Sequence, residues 1–305
     1  MIFLQGIETI HALWRDADTA QRSLMRAGVI LLASGLLHVG VYLADGGAWG
    51  GPVSWRKPIL FGLSTGITLV SMGWVLGHLK RAAYDGLLGR VIGVSALIEV
   101  GLITLQAWRG TPSHFNTTTP TNAVIEYAIT FFTTILALGI LVIVGRVFYQ
   151  LSPKPSRDGR LAIQAGGLFL VFSILFGFWM VYYGHVQAAN GQNPAIYGEG
   201  GVLKFVHGIA IHAIQFFPLL GWFLSRRGYS MNARYALVLA SVIGMALLTL
   251  YSLIQTFSGL PRFDFTMFTA ILLAAGVAFS VLPILVGCLP RSVGAYLQNA
   301  LPKNV

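Results

Sequence analysis

Eight runs of about 20 predominantly apolar residues, each the length that crosses a bilayer's hydrocarbon core, dominate this sequence. They cover residues 27–44, 58–79, 87–107, 123–148, 161–183, 202–224, 234–257 and 265–287. Inside hydrocarbon every backbone N–H and C=O must pair within the structure, which leaves helices or a closed barrel. The runs are continuously apolar rather than alternating, so they predict helices. Asp45-Gly-Gly, Ser152-Pro-Lys-Pro and Arg226-Arg-Gly are among the breaks between runs, as expected of turn and breaker residues. Charged residues make up 10% of the chain and hydrophobic ones 55%, against about 25% charged in soluble domains. The expected fold is an all-α integral membrane protein with eight transmembrane helices, and the lipid bilayer is its first partner.

The net charge of +10 does not imply nucleic acid, because the basic residues are distributed as membrane insertion predicts. Of the 20 Lys and Arg, only Arg56, Lys57, Arg109, Lys204 and Arg262 fall on one side of an eight-span topology; the other fifteen fall on the side of the termini. By the positive-inside rule both termini are expected in the cytoplasm, for a multi-pass protein of the cytoplasmic membrane. Residues 1–26 place Phe3, Ile7, Ile10 and Trp14 at helical spacing among Arg15, Arg22 and Arg26. That pattern predicts an amphipathic helix lying at the interface. Glu8, Asp16 and Asp18 argue against a cleaved signal peptide. The one cysteine, Cys288, excludes an intrachain disulfide framework and a multi-thiolate metal site.

Two exits echo one another. Gln106-Ala-Trp-Arg-Gly-Thr-Pro ends the third run and Gln255-Thr-Phe-Ser-Gly-Leu-Pro ends the seventh. Trp49-Gly-Gly before Lys57 is likewise matched by Tyr197-Gly-Glu-Gly-Gly before Lys204. Residues 27–150 and 151–305 are therefore expected to be two pseudo-equivalent four-helix halves in the same orientation. Gly89-Arg-Val-Ile-Gly93 has the spacing of a close helix contact.

Ionisable and strongly polar residues in membrane helices are costly, about 2.5–3.5 kcal/mol for a charge at the bilayer centre, and they normally face a bundle interior or a wet cavity. Here they gather towards one end: His38, Glu99, Gln106, Glu126, Lys204, His207, His212 and Gln215 within the runs, and Arg109 and His114 in a loop. At 1.5 Å per residue, His38, Glu99 and His207 lie roughly 8–12 Å below the outer surface. The expectation is one outward-facing pocket. Glu99, Glu126 and His114 are its acid–base candidates, and His38, His207, His212, Lys204, Arg109 and Gln106 its cofactor-binding candidates.

Three functions fit such a pocket. A redox or cofactor-handling protein would hold haem b between His38 and a histidine of the sixth run, or a quinone hydrogen-bonded by Gln106, His114 or His207 with Glu99 as proton relay. The eight-span outline resembles haem A synthase, although the histidines here do not recur in the two halves and that family's local motifs are absent. A small-solute or anion transporter would use the same groups, with Pro218 breaking the sixth run. A structural or partner-binding subunit would use them only to hold helices together. The five-residue gap between His207 and His212 disfavours a zinc pair on one helix.

Overall fold

The computed structural model describes residues 14–152 and 155–289. The described residues form helices α1 (Thr19–Asp45), α2 (Arg56–Leu76), α3 (Asp85–Trp108), α4 (Pro120–Val147), α5 (Arg157–Ala189), α6 (Leu203–Ala210), α7 (Ala213–Arg226), α8 (Met231–Phe257) and α9 (Met267–Cys288), with a 3₁₀ turn at Ala195–Tyr197. Taken with α6 and α7 as one span, eight segments among these residues are long and apolar enough to cross a membrane. The chain is an all-α, multi-pass membrane protein.

Two boundaries differ from those expected. The first span starts at Thr19 rather than at residue 27, because Asp18 and Gln21 form a reciprocal capping box: Gln21 N donates to Asp18 Oδ1 at 2.9 Å and Asp18 N to Gln21 Oε1 at 3.0 Å. Arg22 and Arg26 therefore belong to the first turns of α1. Phe3, Ile7 and Ile10, on which the interfacial helix was read, lie outside the described residues. The sixth span is not continuous. It breaks at Ile211–His212, where Gln215 N and Phe216 N both turn back to His212 O, at 3.2 and 3.1 Å. Pro218 sits inside α7, where it leaves Ile214 O without its helical donor; the break itself lies further back, ahead of that turn. Lys204 and Gln215, read from sequence as one apolar run's polar residues, thus stand on two helices instead of one.

The chain divides into two compact units: residues 1–150 with 184–197, and residues 151–183 with 198–305. In the first, glycines bring backbones into contact. A Cβ on Gly28 would lie 2.6 Å from Gly66 O, and one on Gly62 would lie 2.8 Å from Gly35 Cα, the small-residue contact by which membrane helices approach closely. Gly89 and Gly93 serve α3 against α1 in the same way: a Cβ on Gly89 would stand 2.6 Å from Ala20 O. At the end of the unit away from residues 109–119, Arg146 of α4 pairs with Asp85 at the start of α3; both are buried.

In the second unit Gly244 and Gly276 join α8 to α9; a Cβ on Gly244 would lie 2.8 Å from Gly276 O. Its core gathers Ala162 and Ala165 of α5, Phe217, Leu220 and Leu224 of α7, and Val238 of α8. Tyr229 donates to Val286 O at 2.7 Å, and burial raises its phenol pKa. Arg234 reaches the buried Asp158 at 3.3 Å.

Candidate functional site at the loop end of the first unit

The helix exits are built alike in both units. Gly110 and Gly259 take φ of 63° and 70°, and Thr111 N and Leu260 N each donate at 3.0 Å to the carbonyls of Gln106 and Gln255. This is the Schellman ending, which needs the left-handed residue that glycine supplies. The glutamine side chains then reach forward, Gln106 Nε2 to Pro112 O at 3.4 Å and Gln255 Nε2 to Pro261 O at 3.1 Å. Gln106 is fully buried and its remaining bonds are also internal: Nε2 to Asn122 Oδ1 at 3.2 Å, and Oε1 from Arg109 Nη1 at 2.6 Å and Thr111 Oγ1 at 3.1 Å. Gln106 is spent in shaping the exit, and the exposed Arg109 gives it one donor.

Glu126 also organises this loop. Its carboxylate accepts Phe115 N at 2.5 Å and Asn116 N, and His185 Nε2 stands 3.3 Å from it. Phe115 has φ 58°, a strained setting for a bulky residue that persists only where the surroundings fix it. Successive N–H groups around a left-handed residue form an anion-binding nest. Here the anion is the chain's own carboxylate.

Within that loop runs a directed chain of hydrogen bonds. Lys57 Nζ, in the first turn of α2, donates to Ser113 Oγ at 3.1 Å, and Ser113 Oγ meets His114 Nδ1 at 2.9 Å. An ammonium has donors only, and a serine hydroxyl can accept it and still give its own hydrogen to Nδ1; in that arrangement Nε2 of His114 carries the imidazole proton. Nε2 has no hydrogen-bond partner among the described residues. Burial first, then the charges of Lys57 and His185, push the His114 pKa down to about 3, so the ring stays neutral. The rings of Phe61 and Phe115 flank it, at 5.9 and 6.1 Å between centroids. Tyr197 closes the group, its hydroxyl 3.5 Å from Lys57 Nζ. Burial and the charge of Glu126 push its pKa up to about 12, against the opposing pull of Arg56.

The sign of the His114 shift gives a measurable outcome. The unfolded chain binds a proton near pH 6.5 and the folded site near pH 3. The stability lost on account of His114 is therefore absent above pH 6.5 and accumulates as pH falls towards 3, at up to about 1.4 kcal/mol per pH unit. Measured by thermal unfolding in detergent, the wild type should lose Tm relative to His114→Gln over that window. Parallel curves would refute the buried, neutral ring.

The other candidates stand apart from this group. His38 is buried with both ring nitrogens engaged, Nδ1 with Ser34 O at 2.7 Å and Nε2 accepting from Trp108 Nε1 at 3.0 Å. Trp55 packs 4.9 Å from Trp108, so His38 is tied into an aromatic knot joining three helices. Glu99 is buried in α3 with Thr133 in hydrogen-bonding reach; its Oε2 has no partner and it makes no ion pair among the described residues. Lys204, His207 and His212 belong to the second unit. His207 Nδ1 lies 2.8 Å from Ser173 O, with Ser173 Oγ at 3.0 Å, and its ring rests over Gly177. His212 occupies the break in the sixth span and bonds Gln215. Ser113, His185 and Tyr197, which complete the loop-end cluster, were not among the residues expected from sequence. Apart from the neighbouring His114, their partners are far away in the chain.

No protein-family model, no curated protein and no solved structure matches this chain. Its function has to be read from the site itself.

Proposed function

We propose that this protein handles a quinone, held by a ring carbonyl at Nε2 of His114. The observation that carries the reading is the chain Lys57–Ser113–His114, which engages Nδ1 and leaves Nε2 without a hydrogen-bond partner among the described residues, beside two phenylalanine rings; with Ser113 donating to Nδ1, Nε2–H is the donor offered to the quinone carbonyl. A quinone offers a planar apolar ring and carbonyl acceptors, and when bound it supplies two-electron redox capacity. The chain's own contribution is to orient His114, to keep a positive charge one serine away, and to line the ring with aromatic surface. The distribution of basic residues supports both termini in the cytoplasm and this site at the opposite face of the cytoplasmic membrane.

Haem b fits less well. An axial imidazole needs a free ring nitrogen, and His38 would have to surrender its Trp108 bond to offer one. His207 has Nδ1 held by Ser173, and the other histidine among the described residues of its unit, His212, follows on the same span rather than facing it.

A short-chain ubiquinone titrated into detergent-solubilised protein, followed by tryptophan fluorescence, tests the reading. His114→Leu should weaken binding about tenfold, the worth of one lost hydrogen bond of roughly 1.4 kcal/mol. Equal affinities would refute it. The second reading, transport of a small solute, is favoured by the discontinuous sixth span, a feature of many transporter binding sites. It is supported instead if quinone does not bind and a solute protects His212→Cys from a thiol reagent.

A further inference from the structure

The Lys57 ammonium stands between two hydroxyls. One is Ser113 Oγ at 3.1 Å, the branch that leads on to His114. The other is the phenol of Tyr197 at 3.5 Å, with the ammonium 5.5 Å from the ring centroid. Tyr197 comes from 140 residues further along the chain, and its own loop fixes it there. Gln192 N donates to Gln187 O at 2.9 Å, and Ala195 N to Gln187 Oε1 at 2.8 Å. Tyr197 N then closes the 3₁₀ turn on Pro194 O at 3.1 Å.

An ammonium only donates, so the phenol oxygen accepts from Lys57 and its own hydrogen is left for another acceptor. The Tyr197 hydroxyl has no such acceptor among the described residues. It keeps that hydrogen, because burial above all pushes its pKa up to about 12. The two branches from Lys57 therefore end in two uncharged donors, His114 Nε2–H and Tyr197 O–H. We propose that Tyr197 is the second hydrogen-bond donor of the His114 site, and that the site selects para-quinones, with a carbonyl at each end of one ring, over ligands with a single carbonyl. The inference rests on the quinone reading and adds to it the residue that reads the second carbonyl. A para-quinone brings two acceptors and no donor, which matches two donors backed by one positive charge. A ligand with one carbonyl leaves a donor of the site unpaired, the means by which polar sites reject analogues that lack a group.

Calorimetric titration of the full chain in detergent tests this with two probes, 2,3-dimethyl-1,4-naphthoquinone and 2,3-dimethylchromone, which keeps the planar bicycle and one carbonyl. The methyl groups prevent the quinone from adding to the exposed Cys288. The wild type should bind the quinone about tenfold more tightly than the chromone, the worth of one hydrogen bond. Tyr197→Phe keeps the ring beside the ammonium. It should weaken the quinone about tenfold and leave the chromone within about twofold, at an unchanged Tm. Equal losses for both probes would mean that Tyr197 only holds Lys57 in place, and would overturn the proposal; so would a preference that survives the substitution. If neither probe binds the wild type, the quinone reading falls and takes this inference with it. Quinone binding that His114→Leu weakens and Tyr197→Phe does not removes the second donor alone.

Discussion

An Arg146→Leu protein should lose about 3–5 kcal/mol of stability, the cost of stranding the other half of a buried ion pair. Arg146 donates to both oxygens of Asp85, to Lys80 O at 2.7 Å and to Gln150 Oε1 at 2.8 Å, and its guanidinium lies 5.3 Å from the Tyr84 ring centroid. Asp85 in turn accepts Ala82 N at 2.8 Å as it opens α3. With Arg146 gone, a carboxylate of 10% side-chain exposure has no counter-charge, and the connection from α2 to α3 and the end of α4 come loose together. In a thermal melt in detergent this should appear as a fall in Tm on the order of 10 °C. Asp85→Asn/Arg146→Leu should recover much of it, since the penalty lies in the orphaned charge rather than in the lost pair. A single variant melting like the wild type would show that the pair is not buried as described.

Glu126→Ala should be comparably damaging, and for a reason that separates structure from chemistry. Alanine leaves Phe115 N and Asn116 N without their acceptor, each worth about 1–3 kcal/mol when buried and unsatisfied, and frees Phe115 from a strained φ. It also removes the partner of His185. The loop carrying His114 then has no reason to keep its shape, so quinone affinity and Tm should fall together. Glu126→Gln keeps one acceptor oxygen and should be intermediate in both. Read from sequence as an acid–base group, Glu126 would predict the opposite for glutamine: normal stability and binding with lost turnover. Melting and titration of the two variants side by side decide between these.

What was legible in the sequence follows the range of the interaction involved. The eight spans come from local composition, and each is present. The Gln–aromatic–Gly–Pro exits are also local, and both close with the same Schellman turn and the same glutamine-to-proline bond. Asp18-Thr-Ala-Gln21 is a readable capping signal, and it starts α1 well ahead of the apolar run at residue 27. Depth along a helix showed where polar residues cluster but not which way they are spent. Gln106 and Glu126 read as functional groups and their polar atoms hold the loop, whereas His114 Nε2 has no hydrogen-bond partner among the described residues. That difference depends on Lys57 and Ser113, 56 residues apart in sequence, and on the return of residues 184–197 to the first unit. Neither leaves a periodic trace. The break at Ile211–His212 is intermediate: Pro218 marks the sixth span as interrupted, but the helix gives way nearly two turns ahead of the proline.

A density map of the purified protein with short-chain quinone added asks the decisive question. The predicted result is a planar head group beside Phe61 and Phe115 with one carbonyl oxygen within about 3 Å of His114 Nε2. Quinone density elsewhere in the molecule, with none within hydrogen-bonding distance of His114 Nε2, would contradict it.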